Sequence, residues 1–183
     1  MRIIAGAFKG RRLKSPSGLR IRPALDKVKE AVFDILYDVE GYIVLDLFAG
    51  TGSMGLEALS RGAQFAVFVD NWRESIRLIR ENIARTGTEE RTRILGVDVR
   101  KGIEILSKEG AQFDLIFVDP PYLKGLVLPT VSYLFEKGLM RADGVIIAEH
   151  HPKELISPLP DGLSVSDSRS YGQTRVTFFK RPK

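Results

Sequence analysis

Four consecutive residues, Asp119-Pro120-Pro121-Tyr122 (the tetrad), have the types and the order needed to act on a planar amino group. The amino nitrogen of a nucleic-acid base is a poor nucleophile, because its lone pair is delocalised into the ring. The Asp119 carboxylate and the rigidly held Pro120 carbonyl could accept its two N–H groups and favour pyramidalisation. Tyr122 could stack on the base. The tetrad therefore predicts a site that makes an amino nitrogen nucleophilic; an exposed Pro-Pro loop is the alternative.

A glycine-rich turn follows the first predicted strand and opens a helix; its sequence is Asp46-Leu47-Phe48-Ala49-Gly50-Thr51-Gly52-Ser53-Met54-Gly55. Gly50, Gly52 and Gly55 allow a tight turn and a close approach of the backbone to a ligand. Asp70 ends the second strand, where a carboxylate can hold ribose hydroxyls. This spacing predicts a nucleotide-type cofactor, although a turn without any ligand would have the same shape.

Two carboxylates favour S-adenosylmethionine over a nicotinamide dinucleotide. Asp46 lies shortly before the first glycine, where it would oppose a pyrophosphate but suit cationic ammonium and sulfonium groups. Asp98 follows the third strand. Its side chain could accept a hydrogen bond from an adenine amino group, cap the next helix, or do both. We therefore expect S-adenosylmethionine as cofactor and S-adenosylhomocysteine as product.

Strands and helices must alternate to position these residues. The predicted strands are Tyr42–Leu47, Phe65–Val69, Thr92–Val97, Asp114–Val118 and Val145–Glu149. The predicted helices are Asp26–Tyr37, Ser53–Arg61, Arg73–Arg85, Ile103–Glu109 and Leu126–Lys137. Continuous apolar strands separated by helices predict a parallel sheet covered on both faces. Ligands bind at the carboxyl edge of such a sheet, where the tetrad and the glycine-rich turn would meet.

The two ends of the chain depart from this alternation. Leu163–Asp167 and Thr174–Lys180 have no helix between them, which predicts an antiparallel hairpin at the far edge of the sheet. Residues 2–15 predict a small hairpin, followed by a helix that Asp26 could cap. The predicted fold is α/β: a basic extension of residues 1–40 on a Rossmann-like, mostly parallel domain of residues 41–183.

Positive charge is concentrated at the N-terminus. The chain carries a net charge of +5, but residues 1–30 alone carry +7 and the remaining 153 residues carry −2. Lys and Arg side chains placed on phosphates release condensed counterions, so this segment suits a polyanionic partner. A solvated basic surface is the alternative. The residues expected to contact RNA are Lys9, Arg11, Arg12, Lys14, Arg20 and Arg22.

Composition excludes several classes of site. Cysteine is absent from the 183 residues, which excludes disulfides, thiolate metal ligands and cysteine nucleophiles and suits a reducing cytoplasm. No apolar stretch has the pattern of a signal peptide or approaches the ~20 residues of a membrane-spanning helix. His150 and His151 have no clustered carboxylates near them in sequence, so we expect no metal. The expectation is a cytoplasmic protein.

The order of these motifs resembles that of class I methyltransferases acting on amino groups. More closely, nearly the whole chain resembles the RsmD family of 16S rRNA (guanine-N2)-methyltransferases. The matching stretches are Arg2–Gly6, Lys9–Arg11, Arg22-Pro23, Asp26–Phe33, Asp46–Gly55, Glu57–Ala63, the tetrad and Tyr171-Gly172. The resemblance implies a seven-stranded sheet and methylation of a guanine N2. It also implies the small ribosomal subunit, or an assembly intermediate of it, as the partner.

The resemblance also implies roles for individual residues. The implied cofactor-binding residues are Asp46, Phe48, Gly50, Gly52, Asp70, Asp98 and Val99. The glycine-rich turn would frame the methionine moiety, Asp70 the ribose, and Asp98 with Val99 the adenine. Ala24-Leu25 stands where the family usually has Thr-Thr, so the hydroxyl groups of that loop are missing here.

Other functions remain open. A DNA adenine-N6 methyltransferase uses the same tetrad chemistry, but 183 residues leave little room for a target-recognition region. A protein glutamine-N5 methyltransferase is disfavoured by the basic segment. A nicotinamide-dependent oxidoreductase would leave the tetrad without a role, and a non-catalytic RNA-binding module would need only the basic segment. No heptad pattern is present, and we expect a monomer.

Overall fold

Strands and helices alternate along most of the protein. The computed structural model describes residues 1–16 and 23–182, and of residues 23–25 the backbone alone. Within these residues the strands are β1 (Ile43–Leu47), β2 (Phe65–Val69), β3 (Thr92–Leu95), β4 (Phe113–Val118), β5 (Met140–His150), β6 (Ser164–Tyr171) and β7 (Thr174–Lys180). The helices are α1 (Pro23–Leu36), α2 (Ser53–Ser60), α3 (Arg73–Thr86), α4 (Val99–Lys108) and α5 (Val127–Glu136).

The seven strands of the described chain form one sheet in the order β3-β2-β1-β4-β5-β7-β6. Strands β1 to β5 run parallel, and β7 pairs antiparallel with both β5 and β6. Leu47 is in register with Val69 and Val118, so β1, β2 and β4 end level with one another. The strand order reverses between β1 and β4, which opens a crevice at their carboxyl ends. The predicted α/β class, parallel core and antiparallel C-terminal hairpin are confirmed.

The core lies on both faces of the sheet. Val44 and Leu115 pack into one apolar cluster with residues of α1, α2 and α3. Leu45 and Ile116, the next residues along the same strands, pack into a second cluster with α4 and α5. Successive strand residues point to opposite faces, so a strand covered on both faces must be apolar throughout. None of the described helices is long and apolar enough to cross a membrane.

Two helix starts differ from their predictions because of capping. Helix α1 begins at Pro23, so Asp26 lies in its first turn and the prediction that Asp26 caps the helix is wrong. Proline is favoured at the first helical position, because its φ is already helical and the missing N–H has no partner there. Helix α4 begins at Val99, earlier than predicted, because the Asp98 side chain accepts a hydrogen bond from the Arg100 N–H at 2.9 Å.

The C-terminal strands are longer than their apolar runs. Strand β6 extends through Tyr171, although most of its residues beyond Val165 are polar. It is the edge strand of the sheet and pairs only with β7, so much of it remains exposed. Gly172, at φ +63°, and Gln173 form the two-residue turn of the hairpin. Exposed edge strands lack the apolar signal that reveals buried ones.

Residues 1–16 pack against α2 and α3 instead of projecting into solvent. Ile3 and Leu13 are buried in the core. A single antiparallel bridge joins Arg2 to Arg12, so the predicted hairpin is present only in this reduced form. Asn82 of α3 accepts from the backbone N–H of residue 14 at 2.7 Å and donates to its carbonyl at 3.0 Å. The division of the chain at residue 40 stays a prediction.

Glu57 of α2 holds this N-terminal segment from inside the protein. Its side chain is fully buried and accepts hydrogen bonds from the backbone N–H groups of Ile4 and Ala5, at 2.8 and 3.0 Å. Lys29 of α1 lies 3.3 Å from the same carboxylate and is itself 3% exposed. Arg61 donates to it at 2.9 Å. One buried carboxylate therefore joins the segment, α1 and α2.

Gly6 provides a test of this docking. It has φ +80°, and a Cβ at this position would lie 1.8 Å from the Ser60 carbonyl oxygen. We expect Gly6→Ala to lower the free energy of unfolding by at least about 2 kcal/mol, because the left-handed backbone and the close approach both oppose a side chain. Gly10→Ala is the matched control, since Gly10 has φ +83° but no atom near the added Cβ. Equal losses in urea unfolding would contradict a tight contact between Gly6 and Ser60.

Candidate active site

A cavity of about 370 Å³ opens at the carboxyl edge of β1, β4 and β5. This volume lies within the range of small-molecule sites. Of the predicted site residues, Asp46, Phe48, Gly50 and Asp119 line it. Met1, Ser15 and Pro16 contribute part of the wall, so the docked N-terminal segment belongs to the site. The glycine-rich turn and the start of the tetrad thus meet as predicted from the sheet topology.

Asp46 is buried at the end of β1. It is 3% exposed, and its carboxylate accepts a hydrogen bond from the Gly55 N–H at 3.0 Å. The pKa of this carboxyl group is raised to about 7, mainly by burial and to a smaller extent by the nearby charge of Asp70, while the Gly55 N–H opposes the rise. A cationic ligand in the cavity would therefore stabilise the ionised form of Asp46.

The glycine-rich turn contains three residues in the left-handed backbone conformation, and hydrogen bonds to Asp70 stabilise it. Phe48, Gly50 and Gly52 have φ of +57°, +57° and +75°. Asp70 accepts hydrogen bonds from the N–H groups of Gly50, at 2.8 Å, and Trp72, at 2.9 Å. Gly52 and Asp70 are not among the residues that line the cavity. Asp70 has further acceptor positions beyond these two bonds, because a carboxylate offers about four.

Asp98 and Val99 lie outside the cavity lining. Asp98 is exposed and caps α4, and Val99 is 7% exposed within the second core cluster. The helix-capping alternative for Asp98 is therefore present in the structure. Its hydrogen bond to adenine stays a prediction, as does the role of Val99.

The tetrad directly follows β4 at the edge of the cavity. The Asp119 N–H reaches the Leu47 carbonyl at 3.5 Å, which links the end of β4 to the end of β1. Pro120 is buried and Pro121 is exposed. Tyr122 is partly buried, and its ring lies edge-on to that of His151, with 6.3 Å between ring centroids. Of these four residues, only Asp119 lines the cavity itself.

Glu149, the penultimate residue of β5, lines this cavity together with three other carboxylate residues, Asp26, Asp46 and Asp119. The Tyr122 hydroxyl donates to Glu149 Oε1 at 2.6 Å and lies 2.9 Å from Thr174 Oγ1. Desolvation raises the pKa of Glu149, although the Tyr122 hydrogen bond opposes this. Desolvation also raises the pKa of Asp119 well above its ordinary value, and the charges of Glu149 and Asp46 raise it further. The Asp119 side chain is exposed to the cavity, where protein replaces most of the surrounding solvent.

Comparison with known proteins identifies the family. The family described as "Conserved hypothetical protein 95" matches residues 1–180 of the chain. YlbH of Bacillus subtilis is 33% identical over 182 residues, which cover 99% of each protein. "Ribosomal RNA small subunit methyltransferase D" of Escherichia coli K12 is 29% identical, covering 99% of this chain and 90% of that protein. The structure of YhhF from Escherichia coli superposes with a TM-score of 0.85, at 31% identity, over 99% of this chain and 97% of the other.

The chain belongs to this RsmD family of methyltransferases. The Rossmann-like class I methyltransferase fold predicted from the sequence is thereby confirmed. The resemblance carried by the N-terminal stretches, the glycine-rich turn and the tetrad is confirmed as well.

The side chains that line this RsmD-family site without having been predicted there include Trp72, Lys29 and Glu149. Trp72, which directly precedes α3, is 59% exposed and lines the cavity. Lys29 lines it from α1, and its Nζ donates to the Arg2 carbonyl at 2.7 Å and to Ser53 Oγ at 3.2 Å. Burial lowers the pKa of Lys29, although Glu57 opposes this. Glu149 is the last residue of the predicted strand Val145–Glu149, and a carboxylate at the end of an apolar strand was the available signal.

The basic residues of the N-terminal segment differ in their surroundings. Lys9 and Arg12 are exposed, and neither forms a salt bridge with any residue in 1–16 or 23–182. The Arg11 guanidinium donates to the Arg85 carbonyl at 2.5 Å. The Lys14 ammonium lies 2.6 Å from a carboxylate oxygen of Glu81. Arg20 and Arg22 lie outside the described residues.

His150 and His151 show no metal-binding arrangement. His150 is buried, with Nε2 2.9 Å from Thr177 Oγ1 and Nδ1 3.0 Å from the His151 carbonyl. Desolvation lowers the pKa of His150. Over the described part of the chain, no three His, Cys, Asp or Glu residues cluster as metal ligands would.

Proposed function

We propose that this chain transfers a methyl group from S-adenosylmethionine to the exocyclic N2 of a guanine in 16S rRNA of the small ribosomal subunit. The observation that carries the proposal is the position of Asp119 in the cavity formed by the glycine-rich turn. The name of the Escherichia coli relative, which refers to small-subunit ribosomal RNA, supports the choice of substrate. Guanine N2 rests on the resemblance to the family.

The charge of the cavity supports S-adenosylmethionine as the cofactor. Four carboxylate residues line it, Asp26, Asp46, Asp119 and Glu149, and they outnumber the lining Lys29. This excess of acidic groups would oppose the pyrophosphate of a dinucleotide. The ammonium and sulfonium groups of S-adenosylmethionine suit this environment. Asp46 and the glycine-rich turn would hold the methionine moiety, and Asp70 would accept from the ribose. Trp72 offers an exposed aromatic ring on which the adenine can pack.

The tetrad residues would prepare the acceptor nitrogen. When bound, S-adenosylmethionine supplies an electrophilic methyl group. The Asp119 carboxylate and the Pro120 carbonyl accept the two N–H groups of the base, which favours a pyramidal nitrogen with a directed lone pair. The Tyr122 ring stacks on the base, and its hydroxyl is held by Glu149 and Thr174. Because desolvation and the neighbouring carboxylates raise the pKa of Asp119, its carboxylate is suited to take the proton that the methylated nitrogen releases.

Methylation of small subunits tests this proposal. Subunits from a strain lacking the protein would be incubated with the purified protein and S-adenosylmethionine, and their 16S rRNA mapped by nucleoside mass spectrometry. We expect N2-methylguanosine at a position that is unmodified before incubation. N6-methyladenosine, or no methylated nucleoside, would contradict it. Parallel titrations with S-adenosylmethionine and NAD would separate a methyltransferase from an oxidoreductase.

The exposed basic residues of the N-terminal segment should contribute to RNA binding. We expect the double variant Lys9→Ala/Arg12→Ala to bind 16S rRNA more weakly, and to reduce the slope of log K against log salt concentration by about 2, because each phosphate contact contributes about 1. Lys108→Ala is the control, since Lys108 is exposed at the end of α4, which packs on the other face of the sheet. A slope that the double variant leaves unchanged would assign the segment a structural role.

A further inference from the structure

We propose that Glu149 is the specificity-determining residue of this site, and that it selects guanine by accepting a hydrogen bond from the N1–H of the target base. The proposal rests on the proposed function, since it assumes that the acceptor nitrogen is guanine N2. It assigns Asp119 and Glu149 to neighbouring positions on the same edge of the base. Asp119 would contact the amino group, and Glu149 would contact the ring nitrogen beside it.

Strand register places the two carboxylates side by side. Strands β4 and β5 are parallel, with Val118 opposite Ala148, so the residues that follow, Asp119 and Glu149, are level at the carboxyl edge. Adjacent strands lie about 4.8 Å apart. Both side chains line the same cavity, and the charge of Glu149 contributes to the raised pKa of Asp119. A base that presents its amino group to Asp119 therefore brings the adjacent ring nitrogen towards Glu149.

One oxygen of Glu149 is engaged and the other is free to receive a ligand. Oε1 accepts the hydroxyl of Tyr122 at 2.6 Å. Oε2 has no hydrogen-bond donor from residues 1–16 or 23–182, and no Lys, Arg or His in those ranges forms a salt bridge with Glu149. Glu149 is partly buried and lines the cavity, so a hydrogen-bond donor of the substrate can reach this oxygen.

Guanine is the common base that fits two adjacent carboxylates. Its Watson–Crick edge carries the N1–H and both N2–H groups as neighbouring donors. Adenine and cytosine place a ring-nitrogen acceptor beside their amino group, and that lone pair would face the Glu149 carboxylate. Asp119 alone would accept the amino group of any of these bases. Asp119 together with Glu149 accepts guanine, because a site built for a donor strongly disfavours an analogue that lacks it.

The test compares guanine with 2-aminopurine, which keeps the 2-amino group but has an acceptor at N1. Small subunits would be reconstituted with 16S rRNA carrying either base at the mapped target position. Methyl transfer from S-adenosylmethionine would be measured as kcat/KM for the wild type and for Glu149→Gln. The glutamine amide oxygen can still accept from Tyr122, while its NH2 group replaces Oε2 and can donate to the N1 of 2-aminopurine. Tyr122→Phe is the control, because it removes the Tyr122 hydrogen bond and leaves the Glu149 carboxylate.

We expect the wild type to prefer guanine by on the order of 100-fold. In Glu149→Gln, kcat/KM on guanine should fall by about 100-fold and the preference for guanine should largely disappear. Tyr122→Phe should lower kcat/KM on both substrates and retain the preference. Unfolding and S-adenosylhomocysteine binding would be measured for both variants to establish that they are folded.

Two results would overturn this role for Glu149. A Glu149→Gln variant that loses activity equally on both substrates would reduce Glu149 to a support for Tyr122. If activity and base preference were both unchanged in Glu149→Gln, Glu149 would not contact the target base. Absence of transfer to guanine subunits by the wild type would instead overturn the proposed function, and the inference with it.

Discussion

Replacing Asp119 with alanine is expected to reduce methyl transfer by on the order of 10³-fold, while S-adenosylhomocysteine binding stays within a few-fold of the wild-type value. The side chain that accepts the amino group, and that is suited to take its proton, is lost. The glycine-rich turn and Asp46 remain in place, since the described contacts of Asp119 with β1 use its backbone N–H. Single-turnover transfer to small subunits measures the first effect, and calorimetric titration the second.

Asp143→Ala is the matched control for this variant. Asp143 is an exposed aspartate near the start of β5, at the opposite end of that strand from Glu149, and it does not line the cavity. We expect it to transfer methyl groups at the wild-type rate. Full activity in Asp119→Ala would contradict the proposed chemistry, because no other residue of the tetrad has a side-chain acceptor at the cavity. Loss of S-adenosylhomocysteine binding together with activity would reassign Asp119 to cofactor binding.

Replacing Glu57 with alanine is expected to lower the free energy of unfolding by about 3–5 kcal/mol. The change leaves the buried Lys29 ammonium without its counter-charge and the backbone N–H groups of Ile4 and Ala5 without their acceptor. Urea unfolding measures the loss. Because Met1, Ser15 and Pro16 form part of the cavity wall, limited proteolysis of residues 1–16 should accelerate and cofactor affinity should fall.

The double variant Lys29→Met/Glu57→Leu separates the buried charge from the lost hydrogen bonds. Removing both charged groups should cost less than removing Glu57 alone, since no unpaired ammonium remains. The pH dependence has a defined sign. Burial lowers the folded-state pKa of Lys29 below its ordinary value of 10.5, and Glu57→Ala removes the interaction that opposes this. The unfolded chain then binds more protons, so the deficit of Glu57→Ala should shrink as pH rises towards 10.5. A deficit independent of pH would show that Lys29 is not the cause.

Local patterns in the sequence were sufficient for the core of the fold. Strand β2 begins and ends where its apolar run does. Strand β4, which precedes the tetrad, begins at Phe113, one residue before its predicted start. These strands are buried on both faces, so their sequences are continuously apolar and stand out from the amphipathic helices between them. Helix starts were less predictable, as Pro23 and Asp98 show, because several residues in each region could begin a helix.

From the amino-acid sequence alone we could predict the chemistry of the tetrad, the glycine-rich turn, and their meeting at one sheet edge. Each motif is a short run of residues whose types indicate its chemistry. Parallel strands bring such motifs to the carboxyl edge of the sheet. Two features became visible only in the folded protein: Glu149 lies beside Asp119, and the buried Glu57 binds the N-terminal segment. Both depend on which strands are neighbours, in which register, and on how far a buried side chain reaches. Such contacts join residues that are distant in sequence, so no local pattern of residue types predicts them.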